Sequence, residues 1–416
     1  MKKISRFLPA ILAVSLVFSG CGAKQSDSTQ SKETSSGDQA AQSADTIKIG
    51  VLAPTTGFMS THGEVIKLSA ELAEELINND GGIAGKKVKM IIEDDKSDPS
   101  VATEKAKQLI NKDKVNFLIG TGSSAETLAV VPVAEQSKVP FIYSLDGECK
   151  TCSLSDKNQK SKYIFASGPT PQMLLDKFLP SMMNKFGKKV YFVGADYVFP
   201  HFMNDIAEKI VKDNGGEVVG SEYAPTDTTD YSPIINRVKK ADPDILFLTL
   251  PGTSGVTFVK QARQFGIFEK MAVTGSATFD TEAYSAIGQI SDSVYVVNRY
   301  TDLLDNSENK KFVEAYKAKY NPKYPIGPTA SSGTYGVVMA IKAAVEKAGS
   351  TDPDKVVVAL EGLKLNLPQG EVEIDKENHV FNQHIYMMQI KDNDYQLVED
   401  LGITKHPGFE GCSVGQ

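Results

Sequence analysis

Short β-branched runs alternate with amphipathic stretches along the chain from residue 47 onward. Residues 47–52 are the first predicted strand, and residues 64–77 repeat apolar side chains at helical spacing. The pattern then predicts strands at 88–93, 115–119 and 139–143 and helices at 101–110 and 125–136. Strands that alternate with helices form βαβ units, so the pattern predicts a parallel sheet flanked by helices.

A second unit of the same kind follows a polar loop at residues 146–162. Its predicted helices are 173–186, 202–213, 231–238 and 255–265, and its predicted strands are 190–193, 217–222, 245–248 and 271–274. Predicted helices at 308–320, 333–348 and 353–363 come next, followed by β-type stretches at 370–374, 384–390 and 395–398. This helix-rich remainder indicates that the chain returns to the first unit and crosses again near its end.

The N-terminus has the pattern of an export signal. A basic start precedes an apolar stretch, residues 7–18, that is too short to span the ~30 Å core of a bilayer. The stretch ends in Ser19-Gly20-Cys21, where small residues suit a signal peptidase and the Cys21 thiol can carry lipid. We expect removal of residues 1–20 as a lipoprotein signal peptide and lipidation of Cys21. The alternative is an ordinary cleaved signal followed by an unrelated cysteine.

The segment that begins at Cys21 is predicted to stay unfolded. Residues 22–46 contain almost no large apolar side chain and consist mainly of Ser, Gln, Thr, Ala and Lys, so they bury too little surface to fold, and with Cys21 they form the predicted tether 21–46. A flexible coil of this length has a reach of roughly 25–30 Å. We expect a tether that lets the folded body move beside a membrane partner on the outer face of the cell membrane.

Charge and length exclude some classes of function. Removal of residues 1–20 takes away three positive charges and no acid, which changes the net charge from −7 to −10. An acidic chain is a poor partner for nucleic acid. The residues after the tether suffice for two domain cores, and their hydrophobic pattern has no second long apolar run.

The remaining cysteines give weak signals. Cys149 and Cys152 form a C-x-x-C in a polar loop, and Cys412 lies near the C-terminus. Outside the cytoplasm a local disulfide between Cys149 and Cys152 is the simplest interpretation. A thioredoxin-like redox role would need the motif at the start of a helix after a strand. A zinc site would need two more ligands, and the five histidines show no such spacing with these cysteines.

Two segments resemble nucleotide-binding loops but lack the required context. Residues 120–125 match G-x-G-x-x-A between a strand and a helix, but the first βα turn, where a dinucleotide fingerprint normally lies, lacks the motif. Residues 81–87 are one residue short of a phosphate loop and end in Lys87 instead of Ser or Thr. The sequence contains no H-E-x-x-H motif, and its G-x-S-x-G match at residues 411–415 lies in the C-terminal tail instead of between a predicted strand and a predicted helix. We therefore predict no catalytic residue, no cofactor and no metal.

Small polar and aromatic residues gather at the carboxyl ends of the predicted strands. Ser123 and Ser124 begin a helix, so their hydroxyls and the free N–H groups of its first turn can receive a carboxylate or carbonyl oxygen. The alternative role is capping, because Ser123 and Glu126 form an S-x-x-E box. Other strand-end turns carry His62, Tyr143, Asp146, Tyr197, Phe199, Thr253 and Ala277. Turns from both units predict a cleft that closes on a small molecule.

Several motifs resemble those of a known family. Residues 47–50, the run Ile-Asn-Asn-Asp-Gly-Gly-Ile-Ala-Gly at 77–85 and the acidic stretch 93–99 resemble the opening of the leucine/isoleucine/valine-binding family of ABC-transporter solute receptors. Residues 194–200 and 369–372 look more like the urea- and short-chain-amide-binding branch of that family.

The resemblance implies an α/β fold of two Rossmann-like lobes joined by three crossovers, the type I periplasmic binding protein arrangement. Lobe 1 would comprise residues 47–165 and 300–382, and lobe 2 residues 166–299 and 383–405. Residues 406–416 would form a C-terminal tail.

The resemblance also implies roles for individual residues. By the family's pattern Ser124 would hydrogen-bond the ligand, Tyr143 and Leu145 would line lobe 1, and Tyr197 and Phe199 would close from lobe 2.

Three departures limit how far the family's pattern carries over. The amide branch has a tyrosine where Gly122 falls. The turn 276–278 lacks the acid that amino-acid receptors use for the ammonium group, although Asp280 is near. Asp146 and Glu148 stand where relatives are largely uncharged, either as partners of a cationic ligand group or as solvated loop acids.

The leading hypothesis is a monomeric, lipid-anchored receptor that binds an amino acid or an amide such as urea and hands it to an ABC permease. One alternative is a sensory module that uses the same cleft to signal. Another is a secreted redox protein that acts through Cys149 and Cys152.

Overall fold

The alternation of strands and helices is present in the computed structural model, which describes residues 46–144, 161–281, 294–320, 326–391 and 394–407. All ten predicted helices form. They are α1 Ser60–Asn79, α2 Pro99–Gln108, α3 Ser124–Ser137, α4 Pro171–Phe186, α5 Val198–Asp213, α6 Ser232–Ala241, α7 Gly252–Gln264, α8 Ser307–Lys319, α9 Gly336–Ala348 and α10 Pro353–Leu360. Side-chain caps fix several starts: Asp98, Thr170 and Asn306 accept hydrogen bonds from first-turn N–H groups of α2, α4 and α8.

Five parallel strands form the first sheet. They are β1 Thr46–Leu52, β2 Lys87–Glu93, β3 Phe117–Gly120, β4 Phe141–Tyr143 and β5 Ile164–Ala166, in the order β2-β1-β3-β4-β5. The order reverses at β1, because β2 pairs with one edge of β1 and β3 with the other. In an open α/β sheet such a reversal leaves a crevice outside the carboxyl ends of the two strands, where ligands bind.

The second sheet repeats this order. Its parallel strands are β6 Lys189–Ala195, β7 Glu217–Ala224, β8 Ile245–Thr249, β9 Ala272–Gly275 and β10 Val294–Asn298, in the order β7-β6-β8-β9-β10. The antiparallel strands β11 Lys364–Leu367, β12 Gly370–Ile374, β13 Phe381–Lys391 and β14 Asp394–Thr404 extend the sheet beyond β10. The reversal lies between β6 and β8, so the second sheet has its own crevice.

The apolar cores divide the described residues into two lobes. One core joins β1 and β3 to α9, α10 and β12, with Ile49, Val337 and Val372 among its members. Another joins β6 and β8 to β10 and β13, with Val296 and Met388 among its members. The chain thus leaves the first lobe after β5, returns after β10 and leaves again between β12 and β13. This arrangement confirms the α/β class with two lobes and three crossovers, while the residue bounds given for the lobes stay a prediction.

Three strands, β5, β10 and β11, are not among the predicted elements. Each has three to five residues, which is too few for an alternating period to stand out from a loop. The omission of β10 has the largest consequence, because its carboxyl end borders the candidate site.

Candidate functional site

A cavity lies between the carboxyl ends of the parallel strands of the two lobes. The first lobe contributes Met59, His62, Gly122, Ser123, Ser124 and Ser144 to its wall. The second contributes Tyr197, Phe199, Pro251, Ala277 and Asp280, and the chain returning to the first lobe contributes Arg299, Pro328 and Thr329. The empty space is about 450 Å³ including its open mouth, within the range of small-ligand pockets. Most of these residues follow β1, β3, β6 and β8, the strands at which the two sheets reverse their order.

The turn between β3 and α3 presents a helix N-terminus to this cavity. The Ser123 hydroxyl accepts a hydrogen bond from the Glu126 N–H, and the Glu126 carboxyl group accepts one from the Ser123 N–H. Ser124, the first residue of α3, has a buried hydroxyl that makes no hydrogen bond with any described residue. The first N–H groups of a helix lack intrahelical partners and carry partial positive charge. One serine therefore caps the helix, and its neighbour is available to a ligand oxygen.

Aromatic and apolar side chains from both lobes form another part of the wall. Tyr197 is the residue before α5, and Phe199 is buried in its first turn. The two rings lie 6.2 Å apart between centroids. Met59 from the first lobe and Pro251 from the second add further apolar surface. This surface suits an apolar ligand body, since its burial is favourable.

Arg299 brings a positive charge to the wall. The residue follows β10 and is 3 % exposed. Its Nε donates to the Ser332 hydroxyl at 2.7 Å, and its Nη2 donates to the Ser144 carbonyl oxygen at 2.7 Å. Burial lowers the pKa of Arg299 to about 9, so the guanidinium is protonated at neutral pH. A cation held in this way favours an anionic ligand.

Asp280 supplies an acceptor in the same cavity. It is 6 % exposed, and its Oδ1 accepts a hydrogen bond from Asn298 Nδ2 at 2.8 Å. Its Oδ2 lies 3.6 Å from His62 Nε2 across the two lobes. The cavity thus combines donors for an anion with a carboxylate for a donor group of the ligand.

The lobes contact each other beside the cavity. The Phe58 carbonyl oxygen, on the turn after β1, accepts a hydrogen bond from the Thr253 N–H at 3.2 Å. The Phe58 ring packs edge-to-face against Tyr197, with centroids 5.7 Å apart. These contacts join the turn after β1 to the starts of α5 and α7, so the structure describes a closed cleft.

The structure brings together six of the ten residues predicted to contact ligand: His62, Ser123, Ser124, Tyr197, Phe199 and Ala277. Tyr143 is not among the lining residues; it is buried in the core of the first lobe, 6.0 Å from Phe141 between ring centroids, and the next residue, Ser144, lines the cavity instead. Thr253 also lies outside the wall, at the contact with Phe58.

Other predicted positions lie outside the described residues. They are Leu145, Asp146, the lipidation site Cys21, the pair Cys149 and Cys152, and Cys412.

The sequence prediction missed Arg299 and Ser144. A signal for Arg299 exists in the sequence, because the run Val-Tyr-Val-Val at 294–297, just before it, consists of β-branched and aromatic residues that favour strands. Ser144 follows β4 and lies between Tyr143 and Leu145, the two residues to which the family's pattern assigns ligand contact. Both residues are connected in the structure by the hydrogen bond from Arg299 to the Ser144 carbonyl oxygen.

The described ranges contain no group of three or more His, Cys, Asp or Glu side chains arranged to hold a metal ion. In the same ranges no helix combines the length and apolar character needed to cross a membrane.

Comparison with known proteins places this geometry in a family. Residues 46–395 match the family model described as periplasmic binding protein. The chain is 28 % identical over 360 residues to Leu/Ile/Val-binding protein homolog 6 of Brucella melitensis, covering 84 % of this chain and 89 % of that protein. It is 27 % identical over 373 residues to Leu/Ile/Val-binding protein homolog 8 of Brucella abortus, covering 85 % and 89 %.

Solved structures share the fold. An ABC-transporter solute-binding protein of Rhodopseudomonas palustris BisB5, in complex with 3,4-dihydroxybenzoic acid, matches with a TM-score of 0.79 at 28 % identity over 88 % of this chain and 99 % of that chain. A leucine-binding protein of Thermotoga maritima matches with a TM-score of 0.76 at 23 % identity over 85 % and 98 %. At that lower identity the likeness concerns the fold alone.

Proposed function

The chain belongs to the periplasmic binding protein family, and we propose that it is a lipid-anchored receptor that binds a small carboxylate with an apolar body. The family establishes the coarser part: an extracytoplasmic solute-binding protein of an ABC transporter, with a small-molecule ligand and a permease as partners, and not an enzyme. The proposal concerns the class of ligand and the anchor.

The observation that carries the proposal is the pairing of two anion-binding features in one apolar cavity. The α3 N-terminus with Ser124 and the Arg299 guanidinium both line the cavity, together with Met59, Tyr197 and Phe199. Hydrogen bonds to an ionised group are roughly twice as strong as those between neutral groups. A carboxylate therefore gains more here than a neutral amide or urea, while an apolar body gains from the aromatic wall.

Asp280 favours an amino acid among the carboxylates. Its buried carboxylate can attract the α-ammonium group of an amino acid. Asp280 would thus replace the acid that the turn 276–278 lacks. The similarity to the Leu/Ile/Val-binding protein homologues of Brucella supports an amino acid as the ligand. A hydroxylated aromatic acid is the second candidate, because Asp280 can also accept a hydrogen bond from a phenolic hydroxyl and because such an acid is bound in the similar Rhodopseudomonas protein.

Calorimetric titration of the purified protein tests the ligand class. The panel is leucine, isoleucine, valine, benzoate, 4-hydroxybenzoate, acetamide and urea, preceded by mass spectrometry of any molecule that co-purifies. We expect saturable heat with at least one carboxylate and none with urea. Binding of acetamide or urea in preference to every carboxylate would overturn the proposal.

The anchor is the second part of the proposal. Cys21 follows the small residues of the export signal and precedes the polar residues 22–46. Two acyl chains or more hold a protein stably at a membrane, whereas one chain does so only marginally. A tethered receptor on the outer face stays near its permease when the ligand is scarce.

A further inference from the structure

Two buried carboxyl groups lie behind the turn that faces the ligand cavity. Asp95, in the loop after β2, and Glu126, in the first turn of α3, are both completely buried. Neither residue lines the cavity. In the capping box, Glu126 uses only one of its two carboxyl oxygens.

Glu126 holds the turn through its backbone. Its Oε2 accepts hydrogen bonds from the Gly122 N–H at 3.0 Å and the Ser123 N–H at 2.6 Å. Asp95 is held in a similar way, because its Oδ1 accepts a hydrogen bond from the Ser97 N–H at 3.2 Å. Each carboxyl group thus has one oxygen occupied by backbone donors.

The two remaining oxygens, Asp95 Oδ2 and Glu126 Oε1, are buried and receive no hydrogen bond from an N–H or hydroxyl group of the described residues. The two side chains lie close enough for each to shift the pKa of the other. A bond between two carboxyl groups requires a proton on one of them. If the proton is on Glu126 Oε1, the resulting hydroxyl can donate a hydrogen bond to Asp95 Oδ2. Glu126 Oε2 then still accepts from the Gly122 and Ser123 N–H groups.

The electrostatic surroundings favour retention of that proton. Burial raises the pKa of Glu126 to about 9, and repulsion by Asp95 adds to the rise. Burial also raises the pKa of Asp95 to about 7, and the neighbouring Asp94 adds repulsion. Asp94 itself is held by Thr56 and by the Lys96 N–H. Two neighbouring carboxyl groups that are both completely buried cannot both ionise without a large cost.

We propose that Asp95 and Glu126 share a proton and act as a positioning pair for the Gly122–Ser124 turn. The shared proton keeps the turn in the geometry that directs the Ser124 hydroxyl and the α3 N-terminus to the cavity. It also keeps a second negative charge away from the N–H groups that receive the ligand. The effect on binding rests on the proposed carboxylate ligand, whereas the shared proton does not.

Thermal unfolding against pH tests the shared proton without any ligand. A glutamate of unfolded pKa ~4.3 that stays protonated in the folded state up to about pH 9 makes the folded state bind more protons than the unfolded state. Stability from this group is therefore full below pH ~4 and falls as the pH rises toward 9. Glu126→Gln keeps an acceptor for the turn and a donor for Asp95 but does not titrate.

We expect the Tm of the wild type to fall more steeply than that of E126Q between pH 5 and pH 9. Parallel curves for the two proteins would overturn the shared proton.

Ligand titrations test the positioning role, with leucine and benzoate as probes. We expect E126Q to keep the affinity at pH 7 and to lack the weakening of binding at alkaline pH that loss of the shared proton should cause in the wild type. We expect Glu126→Ala to weaken binding by about tenfold or more. Asp352→Ala is the matched control, because it removes an N-cap from α10, where Asp352 accepts from the Lys355 N–H. It should lower the Tm and leave the affinity unchanged.

Equal loss of affinity in E126Q and E126A, or no loss in E126A, would overturn the positioning role. If neither leucine nor benzoate binds the wild type, the carboxylate of the panel that does bind replaces them as the probe. If no carboxylate binds, the proposed carboxylate ligand fails, while the pH dependence of the Tm still decides on the shared proton.

Discussion

Replacing Gly252 with alanine should weaken ligand binding although Gly252 is not part of the cavity wall. Gly252 is the first residue of α7 and has a φ of +60°. A Cβ atom placed there would lie 2.3 Å from the Phe58 carbonyl oxygen, whereas contacts under 3.0 Å are essentially never found for real Cβ atoms. The close approach joins the two lobes at the Thr253–Phe58 hydrogen bond. An alanine side chain is therefore incompatible with this closed geometry and compatible with a more open one.

The expected size of the effect follows from the packing. The lobes would have to separate by roughly 1 Å at this point, and overpacking of this kind costs about 1–3 kcal/mol. The ligand binds to the closed form. A free-energy cost that applies only to the closed form therefore makes the apparent binding free energy less favourable by the same amount. Since 1.4 kcal/mol corresponds to a factor of ten, the dissociation constant should rise about 5- to 150-fold.

Backbone strain must be separated from the contact. A non-glycine residue at positive φ costs roughly 1–2 kcal/mol, but this cost is present in the open and the closed form and cancels from the affinity. Gly349 provides the control, since it has a φ of +59° and a Cβ placed there would meet no atom within 4 Å.

The assay is calorimetric titration with the carboxylate that binds best, together with the Tm of the unliganded proteins. Gly252→Ala and Gly349→Ala should lower the Tm by similar amounts, and only Gly252→Ala should weaken binding. Wild-type affinity in G252A would refute the closing contact, and so would equal weakening in G349A.

Three further changes probe the site and the anchor. Ser124→Ala should weaken carboxylate binding roughly 5- to 10-fold by calorimetry, because it removes one hydroxyl donor; unchanged affinity would contradict the role of Ser124. Asp280→Asn should weaken leucine binding more than tenfold and leave benzoate binding nearly unchanged, since only leucine carries an ammonium group; equal effects on both would contradict the assignment. Cys21→Ser should move the protein from the membrane to the aqueous fraction of lysed cells with its ligand affinity intact, and retention in the membrane would contradict lipid anchoring.

The periodic part of the fold could be predicted from the sequence because its signals are long. Helices of eight or more residues with an apolar face, and strands bounded by glycine turns, stand out from a polar background. The strand-end turns at Ser123, Tyr197 and Ala277 could be predicted for the same reason, since a strand end defines where a site residue lies. Tyr143 shows the limit of this rule, because one residue of offset separates a core side chain from a cavity side chain.

Arg299 shows why the remaining part of the site needs the folded chain. The residue follows a five-residue strand that sits between β9 and β13, and its hydrogen-bond partners Ser144 and Ser332 lie 155 and 33 residues away in sequence. Sequence spacing cannot reveal such partners, because the crossover between the lobes brings them close together.

The position of Arg299 at this crossover gives it a functional advantage over a charged residue on a strand-end turn of either lobe. Its guanidinium is tied to the Ser144 carbonyl oxygen after β4 of the first lobe while its backbone continues β10 of the second, so a ligand anion that contacts it is held at the junction of both. An anion bound there would stabilise the closed arrangement itself, which is the differential affinity that a closing receptor requires.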